Sequence, residues 1–257
     1  YNTAVGSEAG TAVTTGLQNT LIGALSGDAL TEADKNVAVG YAALTTDTQG
    51  SRSVAIGHSA LSNQNFSSGT DSNNVAVGFF AGEDMTVGIK NTIVGNQAGE
   101  KLTDADFNVA IGFDALSTDT LGSRSTAVGY QALGTQNFTS ATATQNTAVG
   151  FQSGFDLTTG TNNTFLGGDS GANITTGSKN TIIGHYHGNH NGLDIRTSSN
   201  NIVISDGDGN PRIHYNTTYG TTGVLYVGNQ SNSVYWPFVT TATNQNAFSV
   251  NSSNGQL

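Results

Sequence analysis

The sequence contains no cysteine, only two prolines and few charged residues, and these shortages exclude several classes of protein. Without cysteine there is no disulfide framework, no thiolate metal site and no cysteine nucleophile. Eight basic residues against eighteen acidic ones give a formal net charge of −10, which disfavours nucleic acid and anionic membrane surfaces as partners. No apolar run approaches the length of a membrane span, so we expect no membrane insertion.

Glycine, in contrast, is abundant, and it ends a five-residue phrase of the form NVAVG that recurs along most of the chain, sometimes with Ser in place of Asn. Copies of the phrase start at Asn2, Asn19, Asn36, Ser53, Asn74, Asn91, Asn108, Ser125, Asn146, Asn163 and Asn180, with a degenerate copy at Asn201. Most starts follow the previous one at a short step, as from Asn19 to Asn36, and some at a step longer by four, as from Ser53 to Asn74. Three short steps and one long step make a higher period, which aligns Asn2 with Asn74 and Asn146. A fixed period of about 20 residues is typical of a solenoid, in which each coil buries its apolar face against its neighbours.

We number each repeat from its Asn (or Ser) as position 0. Positions 1 to 3 are β-branched or apolar and position 4 is glycine, which predicts a short strand that ends in a turn. Positions 1 and 3 share one face of the strand and position 2 takes the other, yet both faces are apolar. We therefore interpret one face as the filling of the coil and the other as a surface between chains, where small residues at position 2 would permit close approach. The aromatic residues at position 5 and the small residues at position 7 are expected to point inward, although a sugar-binding row is an alternative for the aromatic residues.

The predicted fold is all-β: a repetitive β-solenoid over residues 1–199, assembled as a parallel homotrimeric rod, and a β-rich C-terminal cap or neck over residues 200–257. Four extra residues around 62–73 and again around 134–145 predict loops that project from the rod. In the cap, residues 201–215 predict a hairpin with a glycine-rich turn. Further strands are predicted at Val224–Val227 and at 234–239, and residues 244–257 are polar and weakly patterned.

The phrase, with a small residue following it, resembles the head repeat of trimeric autotransporter adhesins, and the same phrase is common in phage tail fibres. The resemblance covers roughly residues 1–184, and the motif recurs eleven times in phase. It implies a left-handed β-roll of three chains around one axis. The coil is longer than is usual in adhesin heads, and the higher period is an addition to that pattern. Residues 200–215 resemble tail-fibre segments that precede a self-cleaving chaperone, which implies processing at the C-terminus.

One cluster carries ligand chemistry, because residues 184–190 (GHYHGNH) hold three of the five histidines. His185 and His187 are two residues apart, so in a strand they point to the same side, and their register predicts that both face inward. In a trimer they would supply six nitrogens around the axis, a complete octahedral shell for a transition-metal ion, with iron as the first candidate. The alternative is that they are satisfied polar side chains at the end of the coil.

Other candidate chemistry is weaker. Asp206, Asp208 and Asn210 resemble the start of a calcium loop, but Pro211 stands where that loop needs glycine, so a hairpin turn is the better interpretation. Asp47 and Asp119 recur one higher period apart in equivalent loops, which indicates turn-forming carboxylates rather than catalytic acids. We therefore expect no enzymatic activity.

The expected function is that of a structural and adhesive section of an extracellular trimeric fibre. A phage tail fibre that attaches a virion to a host glycan or protein receptor is the first interpretation. The alternatives are the head of a bacterial surface adhesin, a filament-forming structural protein, and a polysaccharide-degrading tailspike. The sequence identifies neither the receptor nor the loops that would bind it.

Overall fold

The computed structural model describes residues 1–216 and the two strands Val224–Val227 and Val234–Pro237. Every regular element in this part of the chain is a β-strand, and it contains no helix that could cross a membrane. In chain order the strands are β1 (Thr3–Val5), β2 (Thr20–Ile22), β3 (Val37–Val39), β4 (Gly50–Ser51), β5 (Val54–Ile56), β6 (Thr70–Asp71), β7 (Val75–Val77), β8 (Thr92–Val94), β9 (Val109–Ile111), β10 (Gly122–Ser123), β11 (Thr126–Val128), β12 (Thr142–Ala143), β13 (Thr147–Val149), β14 (Thr164–Leu166), β15 (Thr181–Ile183), β16 (Asn189–His190), β17 (Leu193–Asp194), β18 (Asn201–Ser205), β19 (Pro211–Asn216), β20 (Val224–Val227) and β21 (Val234–Pro237).

Twelve of these strands, one from each copy of the phrase, stack in parallel as the coils of a β-solenoid. Equivalent positions pair from coil to coil, so Thr3 lies opposite Thr20. This register also holds across a long step, where Val54 lies opposite Val75. The four extra residues therefore lie entirely in the loop, where β4 pairs with β6 and β10 pairs with β12. The predicted all-β solenoid is confirmed.

The interior of the coils is lined by positions 2 and 7. Position 2 is fully buried from the second coil onward, in small residues such as Ala38 and in large ones such as Phe165. Positions 1 and 3 face outward. The expectation that small residues at position 2 permit close approach between chains is wrong, because these side chains fill the coil, and the β-branched residues on either side of them form the outer surface.

A ladder of buried asparagines at position 0 ties each coil to the next. Asn36 donates from its amide to the carbonyl oxygen of Gly50 at 2.9 Å and accepts from the backbone N–H of Ser53 at 2.8 Å. Its own N–H donates to the side-chain oxygen of Asn19 at 2.9 Å. Since backbone groups inside the stack are out of reach of water, these side chains satisfy donors and acceptors that would otherwise be unpaired.

Serine replaces asparagine in the two coils that carry the loops around 62–73 and 134–145, and a glutamine from the same coil takes over the ladder there. Gln64 donates to the Asp47 carboxylate at 2.6 Å and to Ser53 Oγ at 3.1 Å. Its amide oxygen accepts from Asn74 Nδ2 at 2.9 Å. The same network recurs one higher period later around Gln136. The short serine side chain leaves room for the glutamine, which explains why the substitution accompanies both of these loops.

The solenoid continues directly into the predicted hairpin. Strand β18 is the twelfth strand of the stack and runs parallel to β15. It turns back into β19, and β20 and β21 follow, each antiparallel to the strand before it. The first part of the predicted cap is thus an extension of the solenoid sheet. The segment 244–257 and residues 238–239 of the last predicted strand lie outside the described residues.

Candidate functional site

The most extensive feature is a surface formed by the side chains at positions 1, 3 and 5 of the coils, which we call the outer face. Exposed apolar side chains run along it from one end of the solenoid to the other. At position 3 the most exposed of them, with 37–59% of their surface accessible, are Val5, Ile22, Ile56, Ile111, Leu166, Ile183 and Ile204. Monomeric soluble proteins rarely expose a contiguous apolar patch larger than a few hundred Å². The outer face is therefore a candidate interaction surface.

The aromatic residues at position 5 belong to this outer face, and the expectation that they point inward is wrong. Tyr41, Phe79 and Phe151 are 44–53% exposed. Alternation already places position 5 on the side of positions 1 and 3, and the residue that follows it explains why position 7 lies on the other side. Position 6 adopts the left-handed region even where it is not glycine, as at Asp114 (φ 53°) and Gln131 (φ 52°). That turn reverses the alternation, so position 7 enters the core while position 5 stays on the side of positions 1 and 3.

These aromatic residues form two stacks that are one higher period apart. In one stack the rings of Phe113 and Tyr130 are 5.6 Å apart and those of Tyr130 and Phe151 are 5.1 Å apart, with planes within 10°. The other stack joins Tyr41, His58 and Phe79 at 5.1 and 5.2 Å. In the first stack the near-parallel rings of Phe113 and Phe151 cover both faces of Tyr130, so a sugar could not stack on that ring. This geometry favours the packing of a polypeptide over the sugar-binding alternative.

His185 and His187 lie on the outside of the eleventh coil, on either side of the fully buried Tyr186. The expectation that both histidines face inward is wrong, because the turn after the strand is one residue shorter here than in the other coils. The N–H of Gly171 donates to the carbonyl oxygen of Tyr186 at 2.9 Å. In the other coils, the acceptor of this hydrogen bond is the residue at position 7. Tyr186 therefore takes the interior place that the repeat count assigns to His187, and its hydroxyl donates to the carbonyl oxygen of Leu193 at 2.8 Å.

Both histidines already have polar neighbours within the chain. Nδ1 of His185 is 2.9 Å from the carbonyl oxygen of Gly168, and its Nε2 is 3.9 Å from the Asp169 carboxylate. Nδ1 of His187 is 3.2 Å from the side-chain amide of Asn173, and its ring meets that of His190 edge-on at 5.6 Å. Burial lowers the pKa of His187, and the neighbouring histidines lower it further, which favours the neutral ring that binds metals.

The metal site stays a prediction. Within the part of the chain that the structure describes, no group of three or more His, Asp or Glu residues is arranged to hold a metal ion. The predicted shell of six nitrogens requires His185 and His187 from three chains, so its geometry belongs to an assembly rather than to one copy.

The carboxylates that hold the long loops from the preceding coil are structural. Asp47 is fully buried and accepts from the N–H groups of Gly50 and Phe66 at 2.9 and 3.1 Å. Asp119 is held in the same way. Burial raises its pKa, and this effect outweighs the hydrogen bonds from Phe138, Gln136 and Gly122, which stabilise the charged form and lower the pKa. In the C-terminal turn, Asp206 accepts from the N–H groups of Asp208 and Asn210. These acids shape turns, as expected.

The outer face and the histidine cluster are thus the two features that bear on function. No family model, curated protein or solved structure matches this chain. What the chain does is therefore inferred from its geometry and its repeated motif.

Proposed function

We propose that the chain is a structural and adhesive section of an extracellular trimeric fibre, in which three copies cover one another's outer faces. A phage tail fibre that attaches the virion to a host-surface glycan or protein is the first assignment. The observation that carries the proposal is the continuous apolar outer face, because nothing else in the described chain covers it. The resemblance of the repeat to adhesin heads and tail fibres supplies the extracellular setting.

The size of the outer face fits an interface between chains. Twelve strands at about 4.8 Å and a width of about four residues at about 3.3 Å give roughly 760 Å² per chain. Stable protein interfaces bury about 800 Å² per partner. The outer face of one solenoid is therefore large enough for a specific assembly.

The mechanism is mechanical and adhesive. Backbone pairing from coil to coil and the buried asparagine ladder make the solenoid a stiff element, since most polar groups of one coil bond to the next. The loops around 62–73 and 134–145 are anchored at their bases by buried Asp47 and Asp119, and their tips, such as Ser68 and Ser140, are exposed. Three copies of each loop on one fibre would raise the avidity of weak receptor contacts.

The native mass of the purified protein tests the proposal. One chain is 26.3 kDa, and we expect a mass of three chains. Tyr130→Asp should convert the assembly to folded monomers, because it puts a charge into the aromatic stack, whereas Ser140→Asp, at an exposed loop tip, should leave the mass unchanged. A stable wild-type monomer would contradict the proposal, and a dimer would contradict the trimer.

The predicted metal is a subsidiary part of the proposal, and it concerns His185 and His187. If three chains bring these residues together, exhaustive dialysis should leave one transition-metal ion, iron first among them, per three chains. The His185→Ala/His187→Ala variant should retain the native mass and lose the ion. Absence of a stoichiometric metal from the wild-type trimer would end the metal proposal and leave the fibre proposal intact.

Three alternatives have distinct signatures. Release of reducing ends from a host polysaccharide would support a tailspike that degrades glycans, whereas binding without cleavage supports the adhesive function. End-to-end polymers in electron micrographs would support a filament-forming structural protein. Exposure of the chain on the surface of bacterial cells would support an adhesin head.

A further inference from the structure

One border of the outer face is a row of exposed residues at position −1, immediately before each Asn or Ser. Every member from the second coil onward is exposed and adopts a left-handed backbone, for example Lys35 (φ 61°) and Lys90 (φ 59°). Five of the chain's eight basic residues stand in this row, and no acidic residue does: Lys35, Arg52, Lys90, Arg124 and Lys179. We call this border the basic row.

The opposite border of the outer face, at positions 6, 9 and 10, is acidic. It holds one basic residue, Lys101, whose ammonium lies 2.8 Å from Glu100 and 3.1 Å from Asp84. Its carboxylates are those of Glu8, Asp28, Glu83, Asp84, Glu100, Asp114, Asp156 and Asp169. We call this border the acidic row. The apolar face thus separates two rows of opposite charge.

Most of the basic row is not neutralised within the chain. Arg52 pairs with Asp71 at 3.1 Å, whereas Lys90 and Arg124 lie over the ring of Phe107 at 5.1 and 5.9 Å. Among the described residues, the other four basic side chains of the row make no ion pair: Lys35, Lys90, Arg124 and Lys179. These cations are available to a carboxylate from outside the chain.

Symmetry determines which rows would meet. If copies are related by an axis along the solenoid, the left border of one outer face adjoins the right border of the next, so the basic row meets the acidic row. If two copies pack face to face and antiparallel, about a two-fold axis across the solenoid, each row meets its own kind. Like charges opposed at an interface are strongly unfavourable, and opposite charges fix the register of partners.

We propose that the basic row of each copy pairs with the acidic row of its neighbour, and that these ion pairs make all copies run in the same direction. The occupant of the outer face is accordingly a further copy of this chain, oriented parallel. This inference rests on the proposed function, which requires that copies cover the outer face, and it adds the residues that set their direction.

Charge reversal of one row tests the pairing. Lys35→Glu/Lys90→Glu/Lys179→Glu should raise the dissociation constant of the assembly on the order of a hundredfold, because like charges then face each other. The same positions changed to Gln serve as the control for loss of charge without repulsion and should have a smaller effect. Adding Glu83→Lys/Glu100→Lys/Asp114→Lys to the reversed variant should restore assembly. An unchanged dissociation constant in the first variant would overturn the pairing.

The direction of the copies can be measured separately, since the chain has no cysteine of its own. Spin labels at Val5→Cys, near one end of the outer face, should lie close together in a parallel assembly. In an antiparallel one they would lie roughly 50 Å apart, the length of eleven steps of about 4.8 Å. Labels at Ile204→Cys, near the other end, should give the same short distance. A wild-type monomer would reject the proposed function, whereas an assembly with distant labels would reject only the parallel ion pairing.

Discussion

Replacing Asn108 by Ala should be among the most destabilising single changes in the protein. The side chain is fully buried and serves two backbone groups of its surroundings. Its amide donates to the carbonyl oxygen of Gly122 at 3.0 Å, and its oxygen accepts from the N–H of Ser125 at 2.8 Å. Alanine leaves both groups buried without a partner. Each such loss costs about 1–3 kcal/mol, so we expect a loss of about 2–6 kcal/mol in the free energy of unfolding.

The assay is denaturant unfolding, together with hydrogen exchange at the Ser125 amide in case the repeats do not unfold in one step. Asn137→Ala, in an exposed loop, is the matched control and should change stability by less than about 0.5 kcal/mol. Asn108→Ser should lose nearly as much stability as Asn108→Ala, because position 11 of this coil is Asp119 rather than the glutamine that supports serine elsewhere. Equal stability of Asn108→Ala and Asn137→Ala would refute the role assigned to the ladder.

Three further predictions concern other features of the described chain. Gly112→Ala should cost on the order of 3 kcal/mol or more, because its Cβ would lie 2.3 Å from the Gly129 carbonyl oxygen at a φ of +134°; Gly69→Ala, with no atom within 4 Å of the new Cβ, should be nearly neutral in the same unfolding assay. Burial lowers the pKa of His214 from 6.5 to about 4, so stability should fall as pH drops through that window, and His214→Gln should remove this loss in a series of thermal melts. Burial raises the pKa of Asp119, so the stability that this carboxyl contributes is fully present below pH 3.8 and is lost as pH rises through the raised pKa. Asp119→Asn should abolish this dependence of the free energy of unfolding on pH, and an unchanged dependence would argue against a buried ionisable carboxyl.

The strands and the solenoid were predictable because their signals are local and repeated. Three β-branched or apolar residues before a glycine predict a strand, and the constant short step predicts that coils stack in register, as Thr3 and Thr20 do. Alternation alone places positions 5 and 7 on the side of positions 1 and 3, so the inward direction of position 7 was not predictable from it. Phe80 and Gln131 carry no sequence mark of a left-handed backbone, since that conformation is imposed on them by the packing of the stack.

The candidate site shows the same division. The residue types at positions 1 and 3 were enough to predict a second apolar face. They were not enough to predict which residues form it, because the aromatic residues at position 5 were expected in the interior. The inward orientation expected of His187 was wrong because a turn shorter by one residue brings the neighbouring Tyr186 into the core. The network of Gln64 with Ser53 and Asp47 joins residues that are distant in sequence, and its only sequence signal is the recurrence of the same three residue types one higher period later.

The alternation of asparagine and serine at position 0 has a consequence for how the chain folds. Nearly identical coils invite errors in which a strand adds to the stack one coil too early or too late. Such a slip would place the Gln64 amide against the apolar residue at position 11 of another coil, such as the buried Leu30, and would leave the buried Asp47 carboxylate without its donor. Only a displacement by the full higher period restores the match. The serine-bearing coils therefore make a register shift by one coil unfavourable. They thereby keep the number of coils between the two long loops constant.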